Sequence, residues 1–276
     1  MAEIKAADVA KLRKMTGAGM MDCKKALQEA DGDFDKATEI IRKKGQAVAN
    51  KRADREASEG VVLAKASGDR TKGFIVVLNC ETDFVAKNND FIKFAESILD
   101  LALDNQPANL EELKSLPLSG KSVSDAVTEQ IGIIGEKLEL SFYDKIAAAQ
   151  VTAYIHPGNK LASMIGLNQA VSNEQVGKDV AMQVAAMSPV AVDKDDVPQA
   201  VQDKELEIGK EQARKEGKPE EILEKIAMGK LNKFFKENTL LNQDFIKENK
   251  KSVKQYLQEI NKDLTVTGFV RFGLKN

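Results

Sequence analysis

One histidine, two cysteines and no tryptophan stand in a chain of 276 residues, and each shortage removes a class of chemistry. His156 alone forms neither the histidine pair of much acid–base machinery nor a multi-histidine metal site. Cys23 and Cys80 are far apart and neither belongs to a CxxC pair, so no disulfide framework or thiolate zinc site is indicated, and a reducing compartment fits. Phosphate loops are missing too. Gly177-Lys178 lacks the upstream glycine and the following Ser or Thr, and no GxGxxG follows a strand pattern, so the chain is not expected to bind nucleotide itself. There is no GxSxG elbow and no cysteine beside a suitable base, and nothing argues for an enzyme or a cofactor. No apolar run approaches the length of a membrane span, and the opening MAEIKAADVAKLRK has no signal-peptide core, so the expected location is the cytoplasm.

An excess of either charge is absent as well. Lys and Arg number 41 against 43 Asp and Glu, whereas a nucleic-acid-binding domain is expected to be clearly basic. Aromatic residues reach 5% and charged residues 30%, which favours a helix-rich architecture over an all-β sandwich. With 42% hydrophobic residues the chain has enough material for two domains.

What is present centres on Gly73 to Asn89. Phe74-Ile75-Val76-Val77-Leu78 is a short apolar run rich in β-branched residues, which predicts a strand buried on both faces. Asn79 to Asp83 are residues that end strands and cap helices. Phe84 then has two readings, an apolar staple folded back onto the core or an exposed wedge beside the Asp83 carboxylate.

Upstream, Val9, Leu12 and Met15, then Cys23, Ala26 and Leu27, then Phe34, Ala37, Ile40 and Ile41 recur at helical spacing, broken at Thr16-Gly17-Ala18-Gly19 and Asp31-Gly32-Asp33. This predicts a three-helix module over residues 1–46. The acidic break is not a calcium loop, because Lys36 stands where that loop needs glycine and Arg42 where it needs glutamate. Met20 and Met21 beside the glycines suit an adaptable protein-binding surface, with at least one of them expected to face inward. On pattern alone Arg13 and Lys24 are solvated charges.

Residues 47–58 read as a linker with a helical start. Residues 59–145 then predict a hairpin, a helix near 90–103, a helix near 124–134 and a strand from 137. Residues 146–276 repeat that order, so an α+β core built of a duplicated hairpin-helix-helix-strand unit is expected. The second copy carries an insert near 198–241 with two helical patterns around Gly217-Lys218-Pro219, an antiparallel helical hairpin whose charges are read as a solvated face. The second copy also has Asn168-Gln169-Ala170-Val171 where the first has Glu81-Thr82-Asp83-Phe84, which favours a dedicated role for Asp83 and Phe84.

Leu78-Asn79-Cys80-Glu81-Thr82-Asp83-Phe84-Val85-Ala86-Lys87 and Leu12 to Leu27, LRKMTGAGMMDCKKAL, together resemble the two signatures of the bacterial translation elongation factor Ts family, in the same order. The resemblance implies a UBA-like N-terminal module and guanine nucleotide exchange on elongation factor Tu, with Mg²⁺ displaced and GDP released so that GTP can bind. It implies that Thr82, Asp83, Phe84 and Val85 perform the displacement. Arg13, Met20, Met21 and Lys24 would contact the partner's nucleotide domain, and His156, in the second half, would contact elongation factor Tu. Some members continue past the last strand into a further helix that touches the partner; here the sequence reaches only Asn276, so that contact is expected to be missing. The alternative, a helical RNA-binding protein, needs a basic face with stacking aromatics, whereas the aromatics here fall mostly at core positions.

Overall fold

The computed structural model describes residues 4–274, so Met1-Ala2-Glu3 and Lys275-Asn276 of the sequence reading lie outside it. Three helices open the chain: α1 (Ala6–Thr16), α2 (Met20–Glu29) and α3 (Phe34–Lys51). They close over Val9, Leu12, Cys23, Ala26, Leu27, Ala37 and Ile41. Gly17 ends α1 with φ 70°, a left-handed conformation that a side chain would strain. The acidic break is helix chemistry, because the Asp33 carboxylate accepts from the amides of Asp35 and Lys36 and caps α3.

The stretch read as a linker with a helical start opens as the last turns of α3. α3 continues to Lys51, Val48 and Ala49 pack on the neighbouring core, and Arg52 is held by Glu81. Gly45 of α3 also meets Gly132 of a later helix backbone to backbone. A sequence pattern sees two small residues as weak helix formers, whereas in the fold they let two helices approach closely.

The first α+β unit runs β1 (Glu59–Ala66), β2 (Lys72–Cys80), the single turn α4 (Asp83–Ala86), α5 (Asn89–Asn105), α6 (Leu110–Ser115), the short ribbon β3 (Pro117–Leu118) and β4 (Lys121–Ser122), α7 (Val123–Ile134) and β5 (Leu138–Ala147). Its sheet has the order β1-β2-β5. The second unit runs β6 (Gln150–Ile155), β7 (Leu161–Leu167), α8 (Glu174–Met187), the long pair α9 (Gln199–Lys215) and α10 (Glu220–Asn238), the ribbon β8 (Asp244–Phe245) and β9 (Glu248–Ser252), α11 (Val253–Ile260) and β10 (Val266–Gly273). Its sheet is β10-β7-β6, so in both sheets the closing strand joins the second strand of the hairpin.

The run Phe74 to Leu78 is buried on both faces. Phe74, Val76 and Leu78 face α5 and α7, whereas Ile75 and Val77 meet Ala162 and Met164 of the second sheet. The two sheets therefore pack face to face, each with helices on its outer side.

The duplication has a residue-level trace that topology alone did not reveal. Lys121-Ser122-Val123 and Lys251-Ser252-Val253 occupy the same place, a ribbon strand leading into a helix. Each serine caps its helix, accepting from Asp125 and Gln255 amides at 3.0 and 3.2 Å, and each valine is fully buried. The inserted helices pack through Gly209 against Ala227 and return to the core where Leu240 and Leu241 bond the backbone of Ala191 and Val192.

Candidate functional site

Where β2 ends, the chain is gripped on both sides. Glu81 accepts two hydrogen bonds from Nη1 of Arg52, both at 2.8 Å, and one from the Lys137 amide at 2.6 Å. That amide, and then Arg52, hold the Glu81 carboxyl below its ordinary range. Thr82 donates its amide and hydroxyl to the two carboxylate oxygens of Glu136, at 3.0 and 2.7 Å, while its hydroxyl oxygen caps α4 by accepting from Val85. Cys80 lies buried behind it with its thiol pushed up to about 12 by desolvation, and its Sγ donates to the Thr82 carbonyl.

Of the four residues expected here, Thr82 holds the turn and Val85 packs on the core beside buried Ala86. Asp83 accepts from Lys87 at 2.6 Å, which draws its carboxyl down. Phe84 resolves its two readings, for the residue is 83% exposed on a turn whose first residue, Thr82, is held by Glu136. It is no staple. When a partner covers an exposed phenylalanine on a held single turn, the ordering cost falls on the side chain's rotamers and little on the backbone.

The Glu81 clamp is testable by pH. Its folded pKa lies below the ordinary glutamate value of 4.5, so its stabilisation is complete above that value and disappears as the pH falls through the folded one. Glu81→Gln is therefore expected to melt at lower temperature than wild type at pH 7, with the difference closing under acid. A gap that persists unchanged at pH 3 would assign it to packing instead.

His156 is exposed at the end of β6, its Nδ1 2.9 Å from the Tyr154 hydroxyl. The fold brings it to the same cleft as Asp83, a space of about 440 Å³ between α4, the β6–β7 turn and the end of β10. Lys87, Lys160 and Arg271 also line that cleft, and Arg271 is a residue that the sequence reading did not single out.

The N-terminal candidates form a separate surface. Arg13 and Lys24 are exposed, and Met20 and Met21 are 46% and 64% exposed. The expectation that one methionine faces inward fails because Thr16 and Ala18 already occupy the space between α1 and α2, next to Cys23. Met15, expected in the core by its spacing, is 57% exposed for a related reason: Val9, Leu12 and Thr16 complete the buried stripe. Three methionines thus stand outward near the turn, a polarisable surface of the kind that adapts to a partner.

The two surfaces are linked through the end of α7. A Cβ on Gly17 would lie 3.1 Å from Ile133, and Glu136, two residues past the helix, holds Thr82. Among the described residues, no group of three or more His, Cys, Asp or Glu side chains is placed to hold a metal ion, and no helix is long and apolar enough to cross a membrane.

A family model described as elongation factor TS matches residues 81–276. Curated proteins named elongation factor Ts align along nearly the whole chain. The protein from Porphyromonas gingivalis is 56% identical over 270 residues, 97% of each chain. That from Christiangramia forsetii is 54% identical over 275 residues, 99% of this chain and all of its own, and that from Cytophaga hutchinsonii is 51% identical over 277 residues with the same coverage.

Proposed function

Because the chain belongs to the elongation factor Ts family, we propose that it binds the GDP complex of elongation factor Tu and accelerates nucleotide release. The observation that carries this reading is the exposed Phe84 ring on its clamped turn. A tight GDP–Mg²⁺ complex depends on strict geometry among phosphate oxygens, metal and protein ligands. A rigid apolar wedge that displaces the partner's supporting helices weakens those contacts together, and Asp83 beside it supplies a carboxylate for polar contacts that hold the displaced arrangement.

The outward methionines, Met20 and Met21 with Met15 added by the fold, and the flanking Arg13 and Lys24 grip the nucleotide-binding domain in this reading. His156 contributes from the second unit, which binds another domain of the partner and supplies leverage. The N-terminal module and the two α+β units then act as separate contact regions on one frame. Coupling of this kind is reciprocal, so the protein binds nucleotide-free partner more tightly than GDP-bound partner, and excess GDP dissociates the complex.

The test is the release of a fluorescent GDP from elongation factor Tu, chased with unlabelled GTP. Catalytic amounts of the protein are expected to raise the release rate in a saturable manner. Release that stays at the spontaneous rate at every protein concentration rejects the exchange-factor reading.

A further inference from the structure

The cleft beside the wedge has a chemistry of its own. Among the described residues, its ionisable lining is Lys87, Lys160 and Arg271 with His156, and the carboxylate of Asp83. Two of these cations are already engaged, Lys87 by Asp83 at 2.6 Å and Lys160 by Glu59 at 2.9 Å. Arg271 is different. Half-buried on β10, it donates its Nε–H to the Ala185 carbonyl at 3.1 Å, while its two terminal nitrogens have no acceptor among the described residues.

The first bond fixes the guanidinium plane and leaves the outer edge of the fork for something else. Gly273 lies beside that edge: a Cβ there would stand 3.3 Å from Cδ1 of Leu161 and in ordinary contact, at 3.8 and 3.9 Å, with the two terminal nitrogens, so a larger side chain would crowd the fork. Such a cationic fork in a walled cleft suits an oxyanion. Asp83 on the wall and Glu59 beside Lys160 repel a dianion more than a single negative charge, and a planar carboxylate matches the guanidinium edge with two parallel hydrogen bonds.

We infer that the cleft between α4, the β6–β7 turn and β10 receives a carboxylate side chain of the partner protein, held by the terminal nitrogens of Arg271 as Phe84 seats. This rests on the exchange-factor reading and deepens it. Asp83 lines the cleft and Phe84 follows it in the same turn, so the surface that accepts the ring also supplies the acid. Arg271 acts here as an electrostatic latch that favours association, while the ring performs the displacement.

Steady-state release of fluorescent GDP from elongation factor Tu, measured with full-length Arg271→Gln, Arg271→Lys and Gly273→Val and with melting curves for each, tests the assignment. Arg271→Gln is expected to raise KM for the partner about tenfold with a smaller effect on kcat, and to flatten the rise of KM with salt. Arg271→Lys restores the salt dependence without the full affinity. Gly273→Val, which keeps the charge and crowds the fork, also raises KM. An Arg271→Gln protein with wild-type KM and salt dependence overturns the inference.

Inorganic phosphate at constant ionic strength separates the two oxyanions. Inhibition of wild type no greater than that of Arg271→Gln supports the carboxylate, and selective inhibition of wild type assigns the fork to phosphate and overturns it. If wild type itself leaves GDP release at the spontaneous rate, the exchange reading fails, and this assignment with it.

Discussion

Replacing Phe84 by alanine is expected to abolish most of the acceleration of GDP release while leaving the melting temperature within about 2 °C of wild type, because an exposed side chain contributes little to a folding core. The ring is a large apolar group outside the core, and anchors of this kind contribute about 2 kcal/mol or more to an interface, roughly thirty-fold in rate when the contact forms in the transition state. The expected signature is a loss in kcat as well as kcat/KM. Phe84→Leu keeps apolar area and loses the flat ring, so an intermediate rate is expected. Equal acceleration by wild type and Phe84→Ala would remove the ring from the mechanism. A large fall in melting temperature would mean that the ring is packed in solution.

The second large effect is expected at the closest approach of α3 and α7. A Cβ on Gly132 would lie 2.5 Å from Cα of Gly45, a backbone atom that no rotamer change can move aside. Gly132→Val therefore separates the helices, at a cost of about 2–3 kcal/mol for overpacking, or roughly 5–10 °C in melting temperature. Because Gly17 abuts Ile133 and Glu136 holds Thr82, the displacement reaches both candidate surfaces. KM for the partner is expected to rise together with the loss of stability, and Gly132→Ala to show the same direction more weakly. Calorimetry that finds Gly132→Val as stable as wild type would show that the two helices do not hold this approach in solution.

Where the sequence reading and the fold part company, the residues explain why. Met15 sits at helical spacing with Val9 and Leu12, yet it is exposed, because the next inward place on α1 belongs to Thr16, whose hydroxyl bonds the Leu12 carbonyl. Periodicity identifies the buried face, but it cannot say where along a helix the partner element ends. The linker reading of residues 47–58 includes a helical start, and the fold shows what carries that helix to Lys51: Val48 and Ala49 find a neighbour that is distant in sequence. The ribbon before α7 is not legible for the opposite reason: β3 and β4 have two residues each, below the length at which alternation shows, and the five residues of β9 before α11, Glu-Asn-Lys-Lys-Ser, hold no apolar residue to alternate. Repeated Lys-Ser-Val was the available signal.

The candidate site divides in the same way. Arg13, Met20, Met21, Lys24 and Thr82 to Val85 were legible through two contiguous signatures, since local sequence carries both a turn's caps and the residues that it displays. Arg271 carries no such local mark, for its significance comes from the space that it shares with Asp83 and His156.

The alternation of helices and strands, the α+β class, the capped turn after β2 and membership of a family of translation factors are legible along the chain, because periodicity, capping residues and contiguous motifs are local properties. Only the tertiary structure decided that Phe84 points outward, that both Met20 and Met21 do, and that the N-terminal module is seated on α7 through Gly45 and Gly132. Those outcomes depend on which distant surface fills the available space first, and exclusion between residues far apart in the chain has no signature along it.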